Sequence, residues 1–84
     1  MKRQYIIIKD VVGIYHLALL WSASANKIYI TNEEGFLKLS KGVAAAAIGF
    51  PREDVFKFDA AAAAAIAERK EYDWSKLKIY DVVA

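Results

Sequence analysis

Tyr5-Ile6-Ile7-Ile8-Lys9-Asp10-Val11-Val12-Gly13-Ile14-Tyr15-His16-Leu17-Ala18-Leu19-Leu20-Trp21 is the stretch whose reading decides the fold. Two runs rich in β-branched and aromatic residues flank one glycine, the pattern of two antiparallel strands joined by a tight turn. The first strand is expected over residues 5–11. Tyr5, Ile7, Lys9 and Val11 face one way, and Ile6, Ile8, Asp10 and Val12 the other. Charge enters only at its far end, so its middle is expected to be buried on one face and partly on the other. Gly13 supplies the positive φ of the turn. The second strand, 14–22, sets Tyr15, Leu17, Leu19 and Trp21 against Ile14, His16, Ala18 and Leu20. A helix competes here, because Val11, Ile14, Ala18 and Trp21 also form a helical stripe. Periodicity alone does not separate the two, and the glycine and the preceding strand favour the strand.

Outward from this hairpin, residues 22–26 are small and polar and read as a turn. Residues 27–31 form a third strand, with Ile28 and Ile30 opposite Tyr29. Thr31 or Asn32 caps a helix over 33–48, and Thr31-x-x-Glu34 has capping-box spacing. Early glutamates suit the positive end of the helix dipole. Phe36, Leu39, Ser40, Val43, Ala47 and Ile48 make its buried stripe. Gly35 and Gly42 weaken it by about 1 kcal/mol each, and Gly49 with Pro51 ends it. After a polar link at 52–54, residues 55–58 alternate as a short strand. Asp59 caps a second helix running from 60 to about 71. Tyr72 and Trp74 anchor a loop. A last strand over 76–83 puts Leu77, Ile79 and Asp81 on one side and Lys78, Tyr80 and Val82 on the other. The order β-β-β-α-β-α-β implies an α+β domain in two layers, a mainly antiparallel sheet with two helices packed on it. Residues 1–84 read as a single domain.

A hydrophobic content of 57% does not suggest intrinsic disorder, which needs low hydrophobicity and high net charge. Twelve basic and ten acidic residues leave a net charge of +2, spread along the chain. A general nucleic-acid binder concentrates its basic footprint, which this chain does not do in sequence. The absence of cysteine removes disulfides, thiol catalysis and thiolate metal ligands and fits a reducing cytoplasm. Lys9 and Asp10 interrupt the N-terminal apolar run, so no signal peptide is expected. No stretch is long and uncharged enough for a membrane span.

The chemistry-bearing residues are few. His16 is the only histidine. It reads as a hydrogen-bonded, partly buried side chain before it reads as a catalytic base. Ser22, Ser24, Ser40 and Ser75 lie in no nucleophile elbow. The acids are explained as caps or solvated surface groups, and no calcium-loop spacing occurs. Gly35, Gly42 and Gly49 are evenly spaced but follow no strand-to-helix phosphate loop. No catalytic, cofactor-binding or metal residue is assigned, and enzymatic activity is not expected. Tyr5, Tyr15, Trp21, Tyr29 and Tyr80, near Lys9, Lys27 and Lys78, suggest an alternative, a sheet face that stacks bases. The element order differs from that of an RNA-recognition motif.

The alanine tracts at 44–47 and 60–65 fit helices. A six-residue tract covers every side of a helix, so some methyls must face outward, where charges are usual. Three readings account for them: close approach of helix to sheet anchored by Ile66, an interaction surface, or deliberate truncation of surface side chains in an engineered chain. The surface reading selects Ala60, Ala63, Ala64 and Ala67, with Tyr72 and Trp74 beside them as interface aromatics.

Three segments carry a resemblance: Tyr5-Ile6-Ile7-Ile8-Lys9 at the start, Val55-Phe56-Lys57-Phe58-Asp59 leading into the alanine-rich helix that ends Ile66-Ala67-Glu68, and Leu77-Lys78-Ile79-Tyr80-Asp81-Val82-Val83 at the end. In this layout the chain resembles small accessory proteins encoded by phages and prophages. The resemblance implies a non-enzymatic protein and marks no residue as functional. One subset of that group, the anti-CRISPR proteins, inhibits host defence systems by binding them. The alanine tracts depart from the charged helices usual there. The expected function is a small cytoplasmic protein-interaction domain, self-associating or binding and inhibiting a larger protein. A nucleic-acid binder and an engineered scaffold are the alternatives. No cofactor and no membrane partner are expected.

Overall fold

The computed structural model describes residues 2–81. Its elements are β1 (Tyr5–Lys9), β2 (Tyr15–Ala23), β3 (Lys27–Thr31), α1 (Glu33–Ser40), β4 (Ile48–Pro51), β5 (Val55–Lys57) and α2 (Ala60–Glu68), with single 3₁₀ turns at Arg52–Asp54 and Trp74–Lys76. The five strands form one antiparallel sheet in the order β4-β3-β2-β1-β5. The α+β class and the placing of two helices among the strands are as expected, and Ile48–Pro51 adds a strand. Gly13 has φ +88° at the β1–β2 turn, and the run after it is strand, not helix.

β4 and β5 are adjacent in sequence but lie at opposite edges of the sheet. Four inter-strand gaps in a flat sheet would separate them by roughly 19 Å. The four steps from Pro51 to Val55 span at most about 14 Å even when fully extended. The sheet must therefore roll. Ile6, Ile8, Ile28, Ile30 and Val55 are buried inside the roll, with Leu20, Phe50 and Tyr80 packed against them. Arg52, in the short link, donates to the carbonyls of Ser24 and Ala25 at 3.3 and 3.5 Å and fastens it to the β2–β3 turn. The outer face carries the helices. Ala62 of α2 packs with Ile7 and Phe56. Phe36 of α1 meets Trp21 edge-on at 5.6 Å. An extra residue in β2 between Leu20 and Ser22 is a β-bulge, which holds Trp21 on the helix side while Leu20 stays inside.

Three expectations are corrected. The first helix ends at Ser40, not at 48. Gly42 takes φ +77° and donates to Leu39 O at 3.1 Å, while Val43 donates to Lys38 O at 2.9 Å. This is a Schellman ending, built on Gly42 in place of Gly49. Residues 44–47 are consequently a link without regular structure, and Ile48 pairs with Ile30 in β4. Ladder bonds to β3 outweigh the helix preference of four alanines. The second helix stops at Glu68 because Arg69 adopts the left-handed conformation at φ 54°. The last strand, expected over 76–83, is one bridge between Phe56 and Ile79, flanked by bonds from Lys57 N to Lys78 O and from Tyr80 N to Val55 O. β5 is only three residues long, since Asp59 caps α2 at once, so its free edge offers no longer ladder. Val82 and Val83 of that expected strand lie outside the described residues.

Candidate interaction surface at the hairpin apex

The β1–β2 turn is organised by one side chain. Asp10 Oδ1 accepts from the backbone N–H of Val12 at 3.0 Å and of Ile14 at 2.9 Å. Asp10 Oδ2 is hydrogen-bonded to His16 Nε2 at 2.7 Å. The Asp10 backbone closes the turn, donating to Ile14 O and accepting from Gly13 N. Such carboxylate-to-backbone bonding holds a turn in a single shape. What this turn displays is aliphatic: Val11 is 104% exposed, Val12 74% and Ile14 57%. Turn positions normally carry Gly, Asn, Asp, Pro or Ser.

Beside the apex lies a cleft of about 560 Å³ whose lining includes Ile14, His16, Ala65, Ile66, Arg69 and Trp74. Its floor is aromatic. Trp74 stacks on Tyr15 at 4.3 Å with an 11° interplanar angle and meets Tyr72 at 5.1 Å. Tyr72 OH donates to Asp59 Oδ2 at 3.2 Å, tying the loop to the cap of α2. Burial, and then this bond to Asp59, raise the Tyr72 phenol above its usual value. Arg69, in its left-handed conformation, turns the chain away from α2 at the cleft margin.

The residues selected from sequence divide. Ala60, Ala64 and Ala67 face outward, and Ala63 is partly covered. Ala62 and Ala65 are the methyls that face the sheet. Tyr72 and Trp74 are half-buried and pack on the Ile7–Phe56 cluster, so they do not join the outward alanines in one patch. The sequence reading missed Val11, Val12 and Ile14 as a surface because it assigned them to strands. The signal lay in the sequence: three aliphatics flank the glycine of a tight turn.

His16 is exposed and hydrogen-bonded to an acid, not partly buried. Its only side-chain bond among the described residues is to Asp10. The five aromatics proposed for base stacking do not share one face. Tyr15 lies under Trp74, Trp21 against Phe36 and Tyr80 against the inner cluster, while Tyr5 and Tyr29 are exposed. Among the described residues, no cluster of His, Asp or Glu is placed to hold a metal ion, and no helix is long and apolar enough to cross a membrane.

The bond to His16, followed by that from Ile14 N, holds the Asp10 carboxyl below the usual carboxylate range. A depressed folded-state value means that the stabilisation is full above the unfolded pKa of about 3.9 and is lost as pH falls through the folded value. Asp10→Asn keeps an oxygen for the N–H groups but loses the charge. Its melting temperature should fall below that of the native chain near neutrality, and the gap should close as both are acidified below about pH 4. A gap that stays constant on acidification refutes an ionic role for Asp10.

Comparison with protein-family models, with curated proteins and with solved structures gives no match for this chain.

Proposed function

We propose that this chain is a non-enzymatic protein-interaction domain that engages its partner through Val11, Val12 and Ile14 and the adjoining cleft. The observation that carries this reading is the display of three bulky aliphatic side chains on a turn fixed by Asp10. Contiguous apolar groups in water mark contact sites. Because the turn is already ordered, docking it costs little further entropy. An apex of this shape fits a pocket, and the cleft accepts a side chain in return. The outward methyls of Ala60, Ala64 and Ala67 extend along the helix that borders the cleft and form a shallow rim, not the anchor.

The test compares the native chain with Val11→Lys/Val12→Lys, first by light scattering across a concentration series. A mass that rises for the native chain alone identifies a second copy as partner. If both stay monomeric, the two are used to capture proteins from a cell extract. Anchoring residues of this kind contribute about 2 kcal/mol or more. A partner held by the native chain should therefore bind the double variant roughly thirtyfold more weakly or less well still. Equal association or equal capture refutes the apex as the contact. Equal circular dichroism spectra establish that the variant is folded.

A further inference from the structure

β2 outruns the strand beside it. It pairs with β1 from Tyr15 to Leu19 but with β3 only from Leu19 onward. β3 leaves the sheet after Thr31, because Asn32 caps α1. Residues 15–18 therefore have a neighbouring strand on one side only among the described residues. The turn fixes the direction of their backbone groups. Asp10 N donates to Ile14 O, and Leu20 N donates to Gln4 O, each at 2.9 Å. Bonded pairs alternate along an antiparallel ladder, so His16 and Ala18 bond to β1. Tyr15 and Leu17 aim their N–H and C=O groups the other way, into the lane that β3 has left. Neither backbone meets a partner there among the described residues.

A cleft opens on each side of this lane. One, of about 250 Å³, has a lining that includes Ile8, Leu17, Ala18, Ile30, Ala46 and Ile48. The other, of about 190 Å³, has a lining that includes Tyr5, Leu17, Ala18, Leu19 and Glu33. Leu17 and Ala18 border both. Strand alternation accounts for the split. Ile8, Ala18 and Ile30 belong to the interior of the roll. Tyr5 stands opposite Leu19, and Leu17 opposite Ile7, on the helix side. Leu17 and Ile48 are exposed, so the aliphatic walls of the interior cleft reach the solvent.

We infer that this lane binds an extended segment of a partner polypeptide, which adds to β2 as a strand in the line of β3. Unpaired N–H and C=O groups at every second residue match the repeat of another extended backbone. Main-chain bonds of this kind supply affinity, and pockets for alternate side chains supply specificity. Here the pockets lie on both faces, as alternation requires. The segment's residues opposite Tyr15 and Leu17 make the backbone bonds and point to the helix side. The residue opposite His16 points to the interior side, where Ile8, Ala18, Ile30 and Ile48 call for an aliphatic side chain. The inference is independent of the hairpin apex, since Val11, Val12 and Ile14 line neither cleft.

The probe is a short fluorescent peptide of alternating valine and threonine with a lysine at each end, titrated by anisotropy. Binding should saturate. N-methylation of the threonine amides removes the donors aimed at β2 and should abolish it, whereas N-methylation of the valine amides should weaken it far less. Ile48→Lys sets a charge in the wall of the interior cleft and should weaken binding about tenfold or more. Amide hydrogen exchange locates the peptide. In the free chain, Tyr15 and Leu17 should exchange much faster than His16 and Ala18, and the peptide should slow the first two. The inference is overturned by absence of saturable binding, by equal loss on methylating either set of amides, or by native affinity in Ile48→Lys. It is also overturned if the peptide leaves the Tyr15 and Leu17 amides unprotected, or if they are already protected in the free chain. Free-chain protection that rises with protein concentration assigns the lane to a second copy instead.

Discussion

Ile6→Ala and Ile7→Ala should each lower the unfolding free energy by about 2–5 kcal/mol, although the two side chains point to opposite faces of β1. In a sheet covered on one side, one of two adjacent residues is cheap to truncate. Here both are 0% exposed. Ile6 fills the interior of the rolled sheet with Ile8, Ile28, Ile30 and Val55. Ile7 fills the layer between sheet and α2 with Phe56 and Ala62. Each truncation leaves a cavity whose walls belong to several strands or to a helix and so collapse only in part. A chain of this length has a total stability of roughly 4–13 kcal/mol, so either change removes a large share. Leu17→Ala, at a β2 site that is 43% exposed, serves as the contrast and should cost less than either. Chemical denaturation measures all three. A loss below about 1 kcal/mol for either isoleucine would refute burial on both sides of β1.

Gly35→Ala should destabilise the protein by about 1–3 kcal/mol, against the helix scale, which credits that change with about 1 kcal/mol of stabilisation. Gly35 lies in the first turn of α1, where its N–H donates to the Asn32 side chain at 2.7 Å. A Cβ built there would sit 2.1 Å from Thr31 Oγ1 and 3.2 Å from Asn32 Oδ1. Thr31 is buried, and its hydroxyl donates to Ala46 O at 3.1 Å, holding the link into β4. Rotating it away gives up that bond. The methyl must displace the helix cap, the hydroxyl or both. Thr31→Ala makes the needed space and loses one hydrogen bond, about 1 kcal/mol. The double variant Thr31→Ala/Gly35→Ala should therefore be no less stable than Thr31→Ala alone. Additive losses in this cycle would show that the Thr31 hydroxyl is not what excludes a side chain at position 35.

These two sites mark where sequence reading worked and where it failed. Alternation and β-branching around Gly13 are local properties, and they gave the hairpin, its facing residues and its turn. The cap at Asp59 was legible for the same reason, since a side-chain acceptor three residues ahead of an N–H is a local geometry. At the first helix Thr31 and Asn32 both qualified, and the structure selects Asn32, with the Thr31 hydroxyl bonded to Ala46 O. The first helix failed at its end because two glycines seven residues apart both satisfy the rule for helix termination. Only the pairing of Ile48 with Ile30 selects the earlier one. For the candidate surface, the outward alanines were correctly placed on a helix, but which methyls face out depends on where that helix meets the sheet. The apex was readable from composition alone and was hidden by its resemblance to strand sequence.

The sequence by itself determined the class, the early strands and their faces, both helix starts and the turn at Gly13, because each follows from contacts within a few residues. The tertiary structure alone decided the roll of the sheet, the fate of residues 44–48 and the meeting of Lys57 with Lys78. Each of these depends on a three-residue link joining opposite sheet edges, or on ladder bonds between segments about twenty residues apart. Side-chain period and propensity carry no information about distances of that kind.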